Sequence, residues 1–208
     1  MKIAVIAGRG HLHQWPADKL SPRWEVVVAG EVNELERHRD VEMIIDLCFS
    51  PDEEHVRELA RWLPKPVMIN SMVHTIGEIG LPFIRINGWP GMLEREVHEL
   101  AIGPETEADF LDGLYGQLEW KYRLVPDIPG MISGRILAAI INEAYYTLQE
   151  KVSTREEIDV AMKLGTNYPF GPFEWSEKIG LENIYDLLNK LGATDHRYMP
   201  AKSLVDAL

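Results

Sequence analysis

Two glycines follow the first apolar run of the sequence at a spacing that suits a phosphate. Residues 2–7 are rich in strand-forming types, and Gly8 and Gly10 come directly after them. Such glycines allow a tight turn and the close approach of a pyrophosphate, so they predict the start of a dinucleotide-binding fold. His13 takes the place of the third glycine, and Pro16 interrupts the helix that should follow. Two interpretations stay open, a shortened NAD site and a vestigial turn.

Glu31 lies just past the second apolar run, residues 24–30. A carboxylate in this place could accept hydrogen bonds from the ribose hydroxyls of a dinucleotide. A solvated loop carboxylate is the alternative. The candidate cofactor-binding residues are therefore Gly8, Gly10 and Glu31.

The histidines are candidates for proton transfer. His98 and Glu99 are adjacent, and alternation along a strand turns only one of them towards a cleft, so they cannot form a pair with each other. His74 follows another apolar run, and each histidine also fits an ordinary surface or core imidazole. His11 and His13 have no third ligand at metal-binding spacing, so we predict no metal site.

Short apolar runs alternate with helical patterns through the first part of the chain. Strands are predicted at residues 2–7, 24–30, 41–49, 67–70 and 83–86, and helices at residues 53–63, 73–79 and 105–122. The third run contains Cys48, the single cysteine, which we interpret as core packing. This alternation predicts a doubly wound, Rossmann-like sheet.

Two prolines and a glycine at residues 125–130 suit neither a helix nor a sheet, and they predict a domain boundary. Beyond them, residues 132–149 form a long apolar helix pattern, residues 153–156 a capping box, and Gly165 a helix end. The predicted fold class is α/β, a reduced Rossmann-like parallel-sheet domain (residues 1–125) followed by a small all-helical domain (residues 126–208).

The net charge of −12 disfavours nucleic acid and anionic membrane surfaces as partners, although a local site can still hold a small anionic ligand. No run approaches the roughly 18 apolar residues of a membrane span, and the amino-terminal run is too short for a signal segment. We therefore expect a cytoplasmic protein.

Four segments together resemble 3-hydroxyacyl-CoA dehydrogenases. They read DIPGM at 127–131, NEA at 142–144, EIDVAMKLG at 157–165 and NYPFGPFE at 167–174. The resemblance implies NAD-dependent oxidation of a 3-hydroxyacyl thioester of coenzyme A. It is strong from about residue 126 to residue 190 and weaker before that.

The resemblance also implies a histidine base after a strand, with a glutamate further along that orients it. Aligned on Pro90, the base position holds Ile86, which cannot accept a proton. The position of the substrate-binding serine holds Met72 with Ser71 beside it, and an Asn-Arg pair is replaced at Gly134. Three polar positions are thus altered together.

Glu99 falls near the place of the orienting glutamate and His98 precedes it, so the candidate catalytic residues are His98, Glu99 and Ser71. Two functions stay open: an oxidoreductase of this family, and a non-catalytic binding or assembly protein derived from it. We expect a homodimer through the helical domain, because that domain is rich in aromatic residues: Tyr145, Tyr146, Phe170, Phe173 and Trp175.

Overall fold

The computed structural model describes residues 1–8, 24–106 and 108–208. Gly10, His11, His13 and Pro16 lie outside these ranges. Contacts between Cα atoms divide the chain into two compact units, Met1–Met131 and Ile132–Leu208. No helix in the three described ranges is long and apolar enough to cross a membrane.

The first unit contains a seven-stranded sheet. Its strands are β1 Lys2–Ile6, β2 Glu25–Ala29, β3 Met43–Asp46, β4 Val67–Asn70, β5 Ile84–Ile86, β6 Val97–Ile102 and β7 Lys121–Leu124. They lie in the order β2-β1-β3-β4-β5-β6-β7. All neighbours run parallel except β5 and β6, which are antiparallel.

Helices in the first unit follow strands, as the alternation predicts. They are α1 Glu53–Ala60, α2 Ile76–Ile79 and α3 Ala108–Leu118, with a 3-10 helix at Val32–Arg37. The Asp52 side chain begins α1 by accepting the His55 N–H at 2.9 Å. Thr75 and Glu78 form a capping box for α2, which ends at Gly80 in the left-handed conformation, φ 73°.

Strands β1, β3, β4 and β5 are buried on both faces. Ile3 and Val5 of β1 belong to one hydrophobic core with Leu111 of α3. Ala4 and Ile6 belong to a second core, which includes several side chains from α1 and its surroundings. Successive strand residues point to opposite faces, so the apolar run of β1 contributes side chains to both cores. This explains why apolar and polar residues do not alternate along β1.

The helix predicted at residues 105–122 is shorter in the structure. α3 ends at Leu118, Glu119 takes a φ of 55°, and Lys121–Leu124 pairs with β6 as strand β7. A left-handed residue interrupts a right-handed helix, and the residues after it gain ladder hydrogen bonds instead.

The second unit is helical in every regular element. Its elements are α4 Ser133–Gln149, α5 Arg155–Thr166, α6 Pro172–Ile179, α7 Leu181–Gly192 and α8 Lys202–Val205, with a 3-10 helix at His196–Tyr198. Thr154 and Glu157 cap α5, one residue later than predicted, and Asn167 rather than Gly165 ends it with a φ of 56°. Asparagine tolerates this conformation. The predicted fold class, a Rossmann-like sheet followed by a helical domain, is confirmed.

Aromatic side chains of the second unit pack against one another inside it. Ring centroids lie 5.0 Å apart for Tyr145 and Phe173 and 4.9 Å apart for Phe170 and Trp175. Tyr145, Phe173 and Trp175 are buried, so they offer no surface for a dimer. Large exposed side chains of this unit are mostly aliphatic: Ile132, Ile136, Val152, Val160, Leu164, Val205 and Leu208.

Candidate active site

The carboxyl ends of the parallel strands form one edge of the sheet. From β1 the chain passes to β2 on one side and then returns to β3 on the other, which creates a topological switch point between β1 and β3. Ligands of doubly wound sheets bind in the crevice at such a point. Gly8, Glu31 and Cys48 each follow one of these three strands.

Gly8 is the part of the predicted phosphate turn that the structure describes. Its N–H donates to Cys48 Sγ, with an N···S distance of 2.9 Å. Burial raises the pKa of the Cys48 thiol, the N–H of Gly8 opposes that rise, and the charge of Asp46 adds to it. A thiol with a raised pKa is a poor nucleophile, which agrees with the interpretation of Cys48 as a packing residue.

Glu31 is exposed at the end of β2, directly before the 3-10 helix. Its Oε2 accepts the side-chain amide of Asn33 at 3.2 Å. The neighbouring Gly30 N–H donates to Glu34 Oε2 at 2.8 Å. Two carboxylates therefore lie at this strand end, and Glu31 keeps its solvent-facing position as a possible acceptor for hydroxyl groups.

A hydrogen-bonded pair of a carboxylate and an imidazole, absent from the predicted site, lies at the end of β3. Asp46 is fully buried, and its Oδ2 lies 2.5 Å from Nε2 of His55 on α1. The hydrogen bond to Asp46 is the largest cause that raises the pKa of His55, and burial opposes it. The signal in the sequence was an aspartate inside an apolar strand run, because a buried carboxylate requires a partner.

Asn70 joins the ends of three neighbouring strands. Its Nδ2 donates to the Leu47 carbonyl at 3.3 Å, and its Oδ1 accepts the Gly88 N–H at 3.0 Å. A Cβ at Gly88 would lie 2.9 Å from Asn70 Cβ. The close approach therefore requires glycine at this position.

Ser71 follows Asn70 and is buried, and its hydroxyl donates to the His74 carbonyl at 2.8 Å. Met72 beside it is also buried. The Ser71 proton is thus directed at the backbone of the same loop. In this arrangement Ser71 stabilises the turn that leads into α2.

The pairing of β5 with β6 revises the position predicted for the base. Ile86 pairs with Leu100, and both lie in the hydrophobic core. The next residue, Asn87, donates its N–H to the Glu99 carbonyl at 3.2 Å. Residues opposite each other on antiparallel strands share a face, so the side chain level with Glu99 is that of Asn87 and not that of Ile86.

His98 lies on the opposite face from Glu99, as strand alternation requires. It is buried, its ring centroid lies 4.7 Å from that of Trp120, and its Nε2 lies 3.2 Å from the Leu93 carbonyl. Tyr115 of α3 contacts the same ring edge-on at 6.3 Å. The structure therefore places His98 in an aromatic core cluster and does not bring it together with Glu99 or Ser71.

Arg85, on the same face of β5 as Asn87, is fully buried. Its Nε donates to the Ser71 carbonyl at 2.8 Å, and its NH1 contacts Asp127 Oδ1 at 2.5 Å. The Asp127 carboxylate also accepts the N–H groups of Ile76 and Gly77, both at 3.1 Å. This network ties the DIPGM turn to α2 and to the loop after β4.

Within the described residues, no group of three or more His, Cys, Asp or Glu side chains could hold a metal ion. The described polar side chains at this edge of the sheet include Asp46, His55 and Asn70, with Glu31 at the end of β2. Their carboxylates, amides and histidine suit the binding of hydroxyl and carbonyl groups.

Residues 130–208 match the sequence model of the family described as 3-hydroxyacyl-CoA dehydrogenase, C-terminal domain. A 3-hydroxyadipyl-CoA dehydrogenase of Escherichia coli is 43% identical over 82 residues, 38% of this chain and 17% of the relative. A probable 3-hydroxybutyryl-CoA dehydrogenase of Bacillus subtilis is 36% identical over 129 residues, 61% of this chain and 44% of the relative. The chain thus spans less than half the length of these curated relatives.

Solved structures extend the likeness to the first unit. An (S)-3-hydroxybutyryl-CoA dehydrogenase from Ralstonia eutropha superimposes with a TM-score of 0.69 at 25% identity, over 88% of this chain and 69% of that chain. A 3-hydroxyacyl-CoA dehydrogenase from Archaeoglobus fulgidus gives 0.55 at 20% identity, over 99% and 86%, and shares the fold. Residues 130–208 of this chain are thus similar to the C-terminal domain of 3-hydroxyacyl-CoA dehydrogenases.

Proposed function

We propose that this chain is an oxidoreductase that interconverts a 3-hydroxyacyl and a 3-oxoacyl thioester of coenzyme A with NAD, at a low rate. The observation that carries the proposal is the family match of residues 130–208 behind a Rossmann-like sheet. The relatives are named as dehydrogenases of 3-hydroxyadipyl-CoA and 3-hydroxybutyryl-CoA, which supports an acyl-CoA substrate.

We expect a low rate because the residue opposite Glu99 is Asn87. An amide such as that of Asn87 neither accepts nor releases a proton near neutral pH, although it can orient a substrate oxygen by a hydrogen bond. Glu99 is the titratable residue opposite Asn87 on the ladder. A carboxylate without an imidazole between it and the substrate is a weaker arrangement for removing a hydroxyl proton.

Two described features of the sheet edge fit NAD. Gly8 brings backbone without a side chain to the end of β1, and Glu31 presents a carboxylate at the end of β2. NAD, when bound, would supply a hydride acceptor. Because the Gly8 N–H already has Cys48 Sγ as its acceptor, we expect weak binding, with a dissociation constant above about one micromolar.

The second candidate function is a non-catalytic binding protein of this family. Asn87 beside Glu99 is the specific observation that favours it. The two candidates share the ligand and differ in turnover, so measurements of binding and of rate distinguish them.

The test follows NADH absorbance in the presence of acetoacetyl-CoA, with calorimetric titration of each ligand alone. We expect both ligands to bind and NADH to be consumed at least about a hundredfold more slowly than in a typical enzyme. Binding with no turnover would establish the binding protein. Rapid turnover would show that a base outside the described arrangement is at work.

Glu99→Gln and His98→Ala sharpen the rate measurement. We expect residual turnover to fall in Glu99→Gln, because that change removes the only proton-binding group we assign to the site. His98→Ala serves as a comparison for a loss of core packing, so its effect should be on stability. Failure of both ligands to bind would refute the proposed function.

A further inference from the structure

A partly buried cluster at the switch point joins Gly8 to three side chains that have no role in the proposed reaction. It consists of Gly8, Asp46, Cys48 and His55, and we refer to it as the switch-point cluster. Asp46 ends β3, His55 lies in the first turn of α1, and Gly8 follows β1. These elements meet on the side of the sheet where a ligand would bind.

Three contacts link the cluster into one chain. Nε2 of His55 lies 2.5 Å from Asp46 Oδ2. Oδ1 of the same carboxylate accepts the Cys48 N–H at 2.9 Å, and Cys48 Sγ accepts the Gly8 N–H at 2.9 Å. A titratable imidazole is thus connected through a carboxylate to the backbone of the predicted phosphate turn.

Packing alone does not account for a charge in this position. Asp46 is fully buried between apolar strand residues, where desolvation of a carboxylate is costly and an aliphatic side chain would serve the core as well or better. Buried ionisable pairs at the crevice of an α/β sheet are characteristic of functional sites. The location of the pair therefore indicates a role in ligand binding.

We propose that His55 and Asp46 are positioning residues for Gly8 behind β1, and that protonation of His55 controls how well the carboxyl end of β1 accepts a dinucleotide phosphate. The proposal rests on the proposed function for the identity of the ligand. Its structural part, the coupling of His55 to Gly8, is independent of any ligand.

The direction of the effect follows from charge. Protonated His55 neutralises Asp46, whereas neutral His55 leaves an uncompensated negative charge at the end of β3, at the sheet edge where doubly wound folds bind their ligands. Three carboxylates act on His55: Asp46 from β3, Asp52 before α1 and Glu58 within α1. All of them favour the protonated form, and together they raise the pKa of His55 above its ordinary value although burial opposes them. NADH should therefore bind more tightly below that pKa and more weakly above it.

The first experiment measures the coupling in the absence of ligand. Nuclear magnetic resonance of the full chain follows the Gly8 amide and the His55 ring between about pH 5.5 and 8.5. We expect both to titrate with the same midpoint, and the Gly8 titration to vanish in His55→Gln and to persist in His38→Gln, a matched change at a histidine outside the cluster. A Gly8 amide that ignores the His55 midpoint would overturn the proposal.

The second experiment measures NADH affinity over the same pH range. We expect the dissociation constant of the wild type to rise about fivefold as His55 loses its proton, and to be independent of pH in His55→Gln and in Asp46→Asn. A dissociation constant independent of pH in the wild type would refute the control of binding by His55. If NADH does not bind at any pH, the proposed function fails, and the resonance experiment still decides the coupling.

Should the variants not fold, the wild type alone gives a second measure of coupling. Cys48 is the single cysteine of the chain, so its rate of alkylation reports on the cluster without a background from other thiols. We expect the pH profile of that rate to show a step at the His55 midpoint, below the main rise at the thiol pKa. A single rise would contradict the coupling.

Discussion

Ile86 and Asn87 are sequence neighbours in opposite environments. Ile86 lies among aliphatic side chains in the core, and Asn87 is level with Glu99 on the other face of the sheet. A histidine in place of Ile86 would be buried in an apolar core, where its charged form is disfavoured and no carboxylate faces it. This is a physical reason to expect Ile86→His to recover little turnover.

We predict that Asn87→His raises the turnover of acetoacetyl-CoA with NADH. An imidazole at this position faces Glu99, which can orient the ring and stabilise its protonated form, and a well-placed general base contributes about 10² to 10⁴ in rate. A gain of at least about tenfold in kcat is the expected result. Asn87→Gln is the matched control, because it keeps an amide and adds no base. Equal rates in the two variants would contradict the assignment of this position.

Sequence reasoning could find some of the site and not the rest. Glu31 could be chosen as a candidate because a carboxylate directly after an apolar run marks the end of a strand. Which residue lies opposite Glu99 depends on the register between β5 and β6. The loop between these strands carries no periodic pattern from which that register could be predicted. The aromatic packing of His98 could not be predicted, because its neighbours Tyr115 and Trp120 come from a helix and a turn further along the chain.

At the scale of elements, the ends of β3, β4 and β5 are held together by the amide of Asn70 and the lack of a side chain at Gly88. We predict that Gly88→Ala destabilises the fold by about 1–3 kcal/mol, since the new methyl group must displace Asn70. Gly116→Ala in α3 is the control, because a Cβ there meets nothing within 4 Å, and alanine should stabilise that helix by about 0.5–1 kcal/mol. Urea unfolding measures both. Equal free energies of unfolding would contradict the close contact.

The buried guanidinium of Arg85 joins β5, the loop after β4 and the DIPGM turn. We predict that Arg85→Met lowers the free energy of unfolding by about 3–5 kcal/mol, because it leaves Asp127 without its partner and the Ser71 carbonyl without its donor. Arg37→Met, at an exposed arginine of the 3-10 helix, should change it by less than about 0.5 kcal/mol. Denaturant titration of both variants at the same pH is the measurement. A small loss for Arg85→Met would show that the network contributes little.

The elements themselves were predictable to different degrees. Strands β1 to β5 were found because buried parallel strands are continuous apolar runs. β7 reads Lys121-Tyr122-Arg123-Leu124, with charged residues that suit the edge of a sheet, and it follows directly on a helical pattern. Its pairing with β6 defines it as a strand. Such pairing between distant segments produces no pattern in the local sequence that would predict the strand.

At the scale of the whole molecule, the helical unit keeps an aliphatic surface. Ile136 on α4 is 54% exposed and Leu164 on α5 is 84% exposed. Exposed side chains of this size gain free energy when a partner covers them, at about 25 cal/mol per Å² of apolar surface. Tyr145 and Phe173 of the same unit are already buried, so we expect the aliphatic side chains to form the homodimer interface.

We predict that the protein is a homodimer in solution and that the double variant Ile136→Glu, Leu164→Glu is a monomer. Two charges on an apolar interface are desolvated without partners, which costs far more than their exposure in the monomer. Light scattering at micromolar concentration should give twice the 23.7 kDa of one chain for the wild type and 23.7 kDa for the variant. Phe110→Glu removes an exposed apolar side chain of the first unit and should leave the dimer intact. A wild-type mass of one chain would refute the dimer, and a dimeric double variant would place the interface on another surface of the protein.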